Sequence, residues 1–101
     1  MDRRPSLQAL LVSILGSNNV YFQPPPTIKM NYPCIVYNRS TGDSQYADNK
    51  AYMFKLRYTV TYIDRKPENK VVEKLALLPL CRYDRFYTAD GLNHDVFDLY
   101  Y

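Results

Sequence analysis

The chain has 101 residues, the length of one domain, with no room for a second independent core. Its 47% hydrophobic and 23% charged residues are globular values, which excludes a disordered or collagen-like chain. Thirteen Lys and Arg against ten Asp and Glu leave a net charge of +3 spread thinly along the sequence, too weak for an electrostatic footprint on nucleic acid. No apolar run approaches the roughly 20 residues of a membrane span, and Met1-Asp2-Arg3-Arg4 leads into an amphipathic pattern without a cleavage site. The expectation is a chain made in the cytosol without a targeting segment.

Residues 5–16 are expected to form a helix, because Leu7, Leu10, Leu11, Ile14 and Leu15 recur at three-and-four spacing and Gly16 supplies the stop. Val20-Tyr21-Phe22-Gln23 followed by Pro24-Pro25-Pro26 reads as an extended connection, since three prolines neither continue a helix nor donate to a sheet. Cys34-Ile35-Val36-Tyr37 is a short apolar strand, and the polar stretch from Asn38 to Asn49 is a surface loop.

Period-two alternation over residues 50–64 is the strongest signal in the chain. It sets Tyr52, Phe54, Leu56, Tyr58, Val60 and Tyr62 on one face and Met53, Lys55, Arg57, Thr59, Thr61 and Ile63 on the other. A second helix is expected over residues 70–78, with Val71, Val72, Leu75, Ala76 and Leu78 on its apolar face and Pro79 ending it. Two aromatic-rich strands, 81–88 and 95–101, then flank a turn running from Ala89 to His94. The fold class that follows is α+β over residues 1–101: a small single domain with an antiparallel or mixed sheet and a long central strand. An N-terminal helix and a second short helix pack on it, and it ends in a β-hairpin.

The chain carries little that points to chemistry. Cys34 and Cys81 lie far apart in apolar surroundings and read as reduced structural thiols. Asp84, Asp90, Asp95 and Asp98 surround the single His94, but turn chemistry accounts for Asp90, and no nucleophile stands at a characteristic spacing. Three isolated glycines make no phosphate loop. Lys55 and Arg57 interleave with aromatics that fall on the opposite face of the long strand, so they do not make a stacking platform for single strands. The reading is therefore a non-enzyme without metal or cofactor.

Four segments, Tyr32-Pro33-Cys34-Ile35-Val36-Tyr37, Tyr58-Thr59-Val60-Thr61-Tyr62-Ile63-Asp64-Arg65, Lys74-Leu75-Ala76-Leu77-Leu78-Pro79 and the stretch 84–95 around Asp90-Gly91-Leu92-Asn93-His94-Asp95, carry a resemblance. Taken in order over nearly the whole chain, they resemble the tail terminator family of head-to-tail joining (neck) proteins of long-tailed bacteriophages.

The resemblance implies a structural virion protein whose copies close into a ring, hexameric in that family, at the head-proximal end of the tail tube. Its partners would be other copies of itself, the tail tube protein and a head connector or completion protein. Genome DNA would pass through the lumen without specific binding, and no membrane would be involved. Synthesis in the host cytoplasm would precede incorporation into the virion neck. The subunit or tube interface is expected at Ser44, Gln45, Tyr46, Lys50, Tyr52, Phe54 and Tyr58, while Asp90, Gly91 and Asn93 shape the terminal turn. The alternatives are a head-completion or connector adaptor of the same neck, and a small nucleic-acid-binding module.

Overall fold

A computed structural model describes residues 4–40, 56–66 and 70–101. The elements are α1 (Arg4–Leu15), β1 (Val20–Phe22), β2 (Cys34–Arg39), β3 (Arg57–Asp64), α2 (Lys70–Ala76), β4 (Cys81–Ala89) and β5 (Leu92–Tyr100). The strands form one five-stranded sheet in the order β1-β2-β3-β5-β4, antiparallel except for the β1–β2 pair. The α+β class with helices over one sheet face is thus the observed fold.

Alternation along the strands builds the core face. Val20, Ile35, Tyr37, Tyr58, Val60, Tyr62, Phe97 and Leu99 lie on one side of the sheet and are buried, and Leu7 and Leu11 of α1 with Val71 and Leu75 of α2 close over them. Leu7 and Leu11, four apart, are fully buried, each contributing about 1.5–3 kcal/mol by removal from water. On the opposite side Cys34, Ile63 and Val96 make a smaller apolar strip beside Thr59 and Thr61.

Three expectations are corrected. The segment at Val20 is more than a connection: Val20, Tyr21 and Phe22 pair in parallel with Ile35, Val36 and Tyr37, and the triple proline begins only after the strand has ended. The second helix stops at Ala76 rather than Leu78, because Leu78 N–H turns back to Leu75 C=O ahead of Pro79. The terminal turn contracts to Asp90 and Gly91, both at positive φ (54° and 75°), the pattern of a two-residue hairpin turn matched to strand twist. Asn93 and His94 consequently belong to β5. Of the long strand expected over 50–64, residues 57–64 form β3; the residues from 50 to 55 lie outside the described residues.

Candidate interaction edge

β4 starts from a tight corner. Leu77 N–H bonds Glu73 C=O, Cys81 N–H bonds Leu78 C=O, and Leu80 takes a left-handed φ of 59° that swings the chain into the strand. From there β4 runs along β5 as the outer strand among the described residues, within which every residue from Arg82 to Ala89 is exposed. Three aromatic rings stand on this edge, Tyr83, Phe86 and Tyr87, at 43%, 48% and 41% exposure, next to Leu80 at 58% and Leu77 at 83%. A nine-residue outer strand carrying this much aromatic surface is the kind of edge that soluble proteins otherwise shorten, cover or charge.

A bulge divides the edge. Tyr83 pairs with Phe97 and Arg85 with Val96, so Asp84 is the extra residue. On the core side of the sheet, Tyr83 packs edge-on against Phe97, with centroids 5.1 Å apart at 86°, and donates its hydroxyl to Asp95 Oδ1 at 2.6 Å. Burial and the Asp95 carboxylate push the Tyr83 phenol up to about 12. On the other side Tyr87 stacks on His94, with centroids 4.5 Å apart at 13°. The Arg85 guanidinium sits 5.9 Å from the Tyr87 ring and 2.7 Å from Asp84 Oδ2.

The acidic residues around His94 do not converge. Asp95 faces the core side with Tyr83, whereas Asp98 faces the other side, buried between Arg57 at 3.4 Å and Arg82 at 3.6 Å. Asp84 pairs with Arg85, and Asp90 occupies the turn. Asp64 accepts Tyr62 Oη–H at 2.7 Å and the Lys66 N–H at 3.2 Å, tying off the end of β3. Burial first, and this hydrogen bond next, push the Tyr62 hydroxyl far up. Among the described residues, no group of three or more His, Cys, Asp or Glu could hold a metal ion, and no helix is long and apolar enough to cross a membrane. Cys34 and Cys81 are free thiols, raised by burial to about 12 and about 11, with the Asp98 charge adding to the shift at Cys81.

The residues expected at an interface are redistributed. Ser44, Gln45, Tyr46, Lys50, Tyr52 and Phe54 lie outside the described residues. Tyr58 is 3% exposed and packs near Tyr37, with ring centroids 6.1 Å apart, so in the folded subunit it belongs to the core and offers no surface to a neighbour. Asp90 and Gly91 make the turn as expected. Asn93 instead reaches across to β3's end, donating its amide to Asp64 C=O at 3.3 Å and Arg65 C=O at 3.1 Å.

On β3 the cationic Arg57 and the aromatic Tyr58 and Tyr62 do fall on opposite faces. On β4 the bulge brings Arg82, Arg85 and Tyr87 onto one face, which a strict period of two does not foresee. Arg85 pairs with Asp84, and Arg82 shares Asp98 with Arg57, so most of the positive charge on this face is offset. The hairpin pattern of 81–101 does not show that β4 is outermost; the signal for it lies in Tyr83-Asp84-Arg85-Phe86-Tyr87, where charges interrupt the aromatics of the strand. Comparison of the chain with known protein families, with curated proteins and with solved structures finds no match.

Proposed function

We propose that this chain is a structural, non-catalytic protein of the bacteriophage neck, a tail terminator whose copies form a ring on the head-proximal end of the tail tube. The observation that carries this reading is the open aromatic edge of β4. It gives each subunit a docking surface of the composition that protein interfaces favour, rich in Tyr, Phe and Arg. A closed heterologous ring also needs two unlike patches on each copy, and the two sheet edges are unlike. β1 is three residues long, is followed by prolines and has its Val20 C=O capped by the Gln8 amide at 3.1 Å, whereas β4 is nine residues long and open. Asp98, shared by Arg57 and Arg82, and Asp84, paired with Arg85, leave these three arginines with a single net positive charge, which suits a protein past which DNA slides without being held.

The test is the mass of the purified protein with and without tail tubes, by light scattering, together with negative-stain imaging of tube ends. A ring at one end of each tube with arrested growth is the expected outcome. Binding to portal particles with indifference to tubes would move the protein to the connector position, and salt-sensitive DNA binding with indifference to both would replace the neck reading.

A further inference from the structure

The free edge of β4 is complementary to itself. Main-chain groups in an antiparallel strand alternate between its two sides, and the phase in β4 is fixed at both ends. Tyr100 N–H bonds Leu80 C=O at the start, and the two-residue turn closes on Ala89 and Leu92 at the finish. Leu80, Arg82, Arg85, Tyr87 and Ala89 therefore turn toward β5, while Tyr83, Phe86 and Thr88 direct their N–H and C=O groups to the outer edge, joined there by the C=O of Cys81, whose N–H bonds Leu78 C=O. The bulge fits Asp84 and Arg85 into the space of one residue. Tyr83 and Phe86, three apart in sequence, thus stand opposite Phe97 and Asp95, which are two apart. The outward positions accordingly oppose Leu99, Phe97, Asp95 and Asn93 at regular spacing, two on each side of the bulge.

We propose that two copies of this chain join through β4, antiparallel about a two-fold axis at the Asp84–Arg85 bulge, so that their sheets become continuous. In this register Tyr83 of each copy exchanges main-chain hydrogen bonds with Phe86 of the other, and the Cys81 C=O, whose own N–H is held by Leu78, accepts from Thr88 N–H. The same apposition places two Tyr–Phe pairs on the core side of the sheet. On the opposite side Arg82 of each copy lies against Tyr87 of the other, a cation–π arrangement. At the axis Asp84 of each copy meets Arg85 of the other, two charge-complementary contacts related by the symmetry. Side-chain exposure of 37% at Asp84, 63% at Arg85 and 81% at Arg82 makes these groups accessible to a second copy, where their ion pairs within the chain exchange for pairs between copies. The pairing stands on β4 alone and goes beyond the neck assignment: a two-fold pair covers the adhesive edge in free subunits until assembly displaces it.

The experiment is sedimentation equilibrium on the full chain and its variants, with far-UV circular dichroism confirming that each is folded. The wild type is expected at twice the mass of one chain in the micromolar range. Asp84→Arg and Arg85→Asp alone each place like charges at the axis twice, and each is expected to weaken dimerisation about tenfold. An equimolar mixture of the two variants restores the dimer, because arginines of one copy then meet aspartates of the other. Thr88→Cys is expected to yield a disulfide-linked dimer through Cys81 on mild oxidation. A wild type that stays at one mass, a dimer or larger ring indifferent to both substitutions, or a mixture that fails to re-associate overturns the proposal. Ring formation on tube ends is read separately, so a failed dimer leaves the neck assignment standing and the converse holds too.

Discussion

Tyr37 donates its hydroxyl to Gln8 Oε1 at 2.5 Å, and the same Gln8 amide donates to Val20 C=O at 3.1 Å. One side chain of α1 thus fastens the helix to β2 and, through a main-chain carbonyl, to the edge strand β1. Tyr37 is fully buried, so its hydroxyl has no access to water if the amide is removed. Gln8→Leu is expected to lower unfolding free energy by about 1–3 kcal/mol, the cost of an orphaned buried donor, measured by urea denaturation. Tyr37→Phe in the Gln8→Leu background is expected to recover part of that loss, since both ends of the bond are then apolar.

The Asp90–Gly91 turn sets a second expectation. Gly91 has a φ of 75° and open space where a Cβ would sit, so the penalty of a side chain there is conformational and not a clash. Gly91→Ala should cost about 1–2 kcal/mol, the left-handed penalty for a residue with a Cβ. Asp90→Gly, at a φ of 54°, should stay close to the parent. Thermal midpoints of the two variants distinguish them, and equal losses would mean the turn is not what limits the hairpin.

Asp98 is 5% exposed between two arginines of very different burial. Arg57, whose Nε is buried without a partner, depends on it, whereas the Arg82 side chain is 81% exposed. Asp98→Asn is therefore expected to destabilise by about 1–3 kcal/mol through the loss of a charge-assisted bond to Arg57. Arg82→Ala should change stability by no more than about 1 kcal/mol, the range of an exposed ion pair. Denaturant midpoints check both.

Alkaline titration gives a fourth expectation. The Cys34 thiol is raised from 9.0 to about 12 and the Tyr83 phenol from 10.0 to about 12, in each case with burial as the leading cause. Both are acids held in their neutral form by the fold. Above pH 9 the unfolded chain loses protons that the native chain keeps, so unfolding becomes easier as pH rises. Stability is expected to be flat up to about pH 9 on account of these groups and to decline from pH 9 to 12, followed by urea midpoints across that range. Cys34, fully buried, should react with iodoacetamide only as fast as the chain opens, while Cys81, half-buried, reacts sooner.

Much of the architecture was written locally. The Leu7/Leu11 spacing announces α1, the alternation from Tyr58 to Tyr62 announces β3, and Asp90-Gly91 announces the hairpin, because each is decided by near neighbours in the chain. β1 was not legible: three residues are too few to show a period, and the strand exists through Ile35, Tyr37 and Gln8, all distant in sequence. Nothing local to α1 marks Gln8, since only the tertiary position of Tyr37 turns it into a pin. The candidate site was hidden for the same reason. Whether an aromatic strand is central or outermost depends on the order in which strands pair, and nothing inside residues 81–89 specifies that β5, rather than β4, lies beside β3.

The position of β5 has a consequence for biosynthesis. It follows every other strand in the chain, yet it is the one that holds β3 on one side and β4 on the other. While a ribosome has delivered only the residues before Leu92, β4 has no partner and β3 is paired on one side alone. A chain cut ahead of Leu92 therefore keeps two unjoined pieces, with Tyr83, Phe86 and Tyr87 bare, because the strand that threads between them is missing. Such a truncated product is prone to aggregation and proteolysis and has no route to the native sheet.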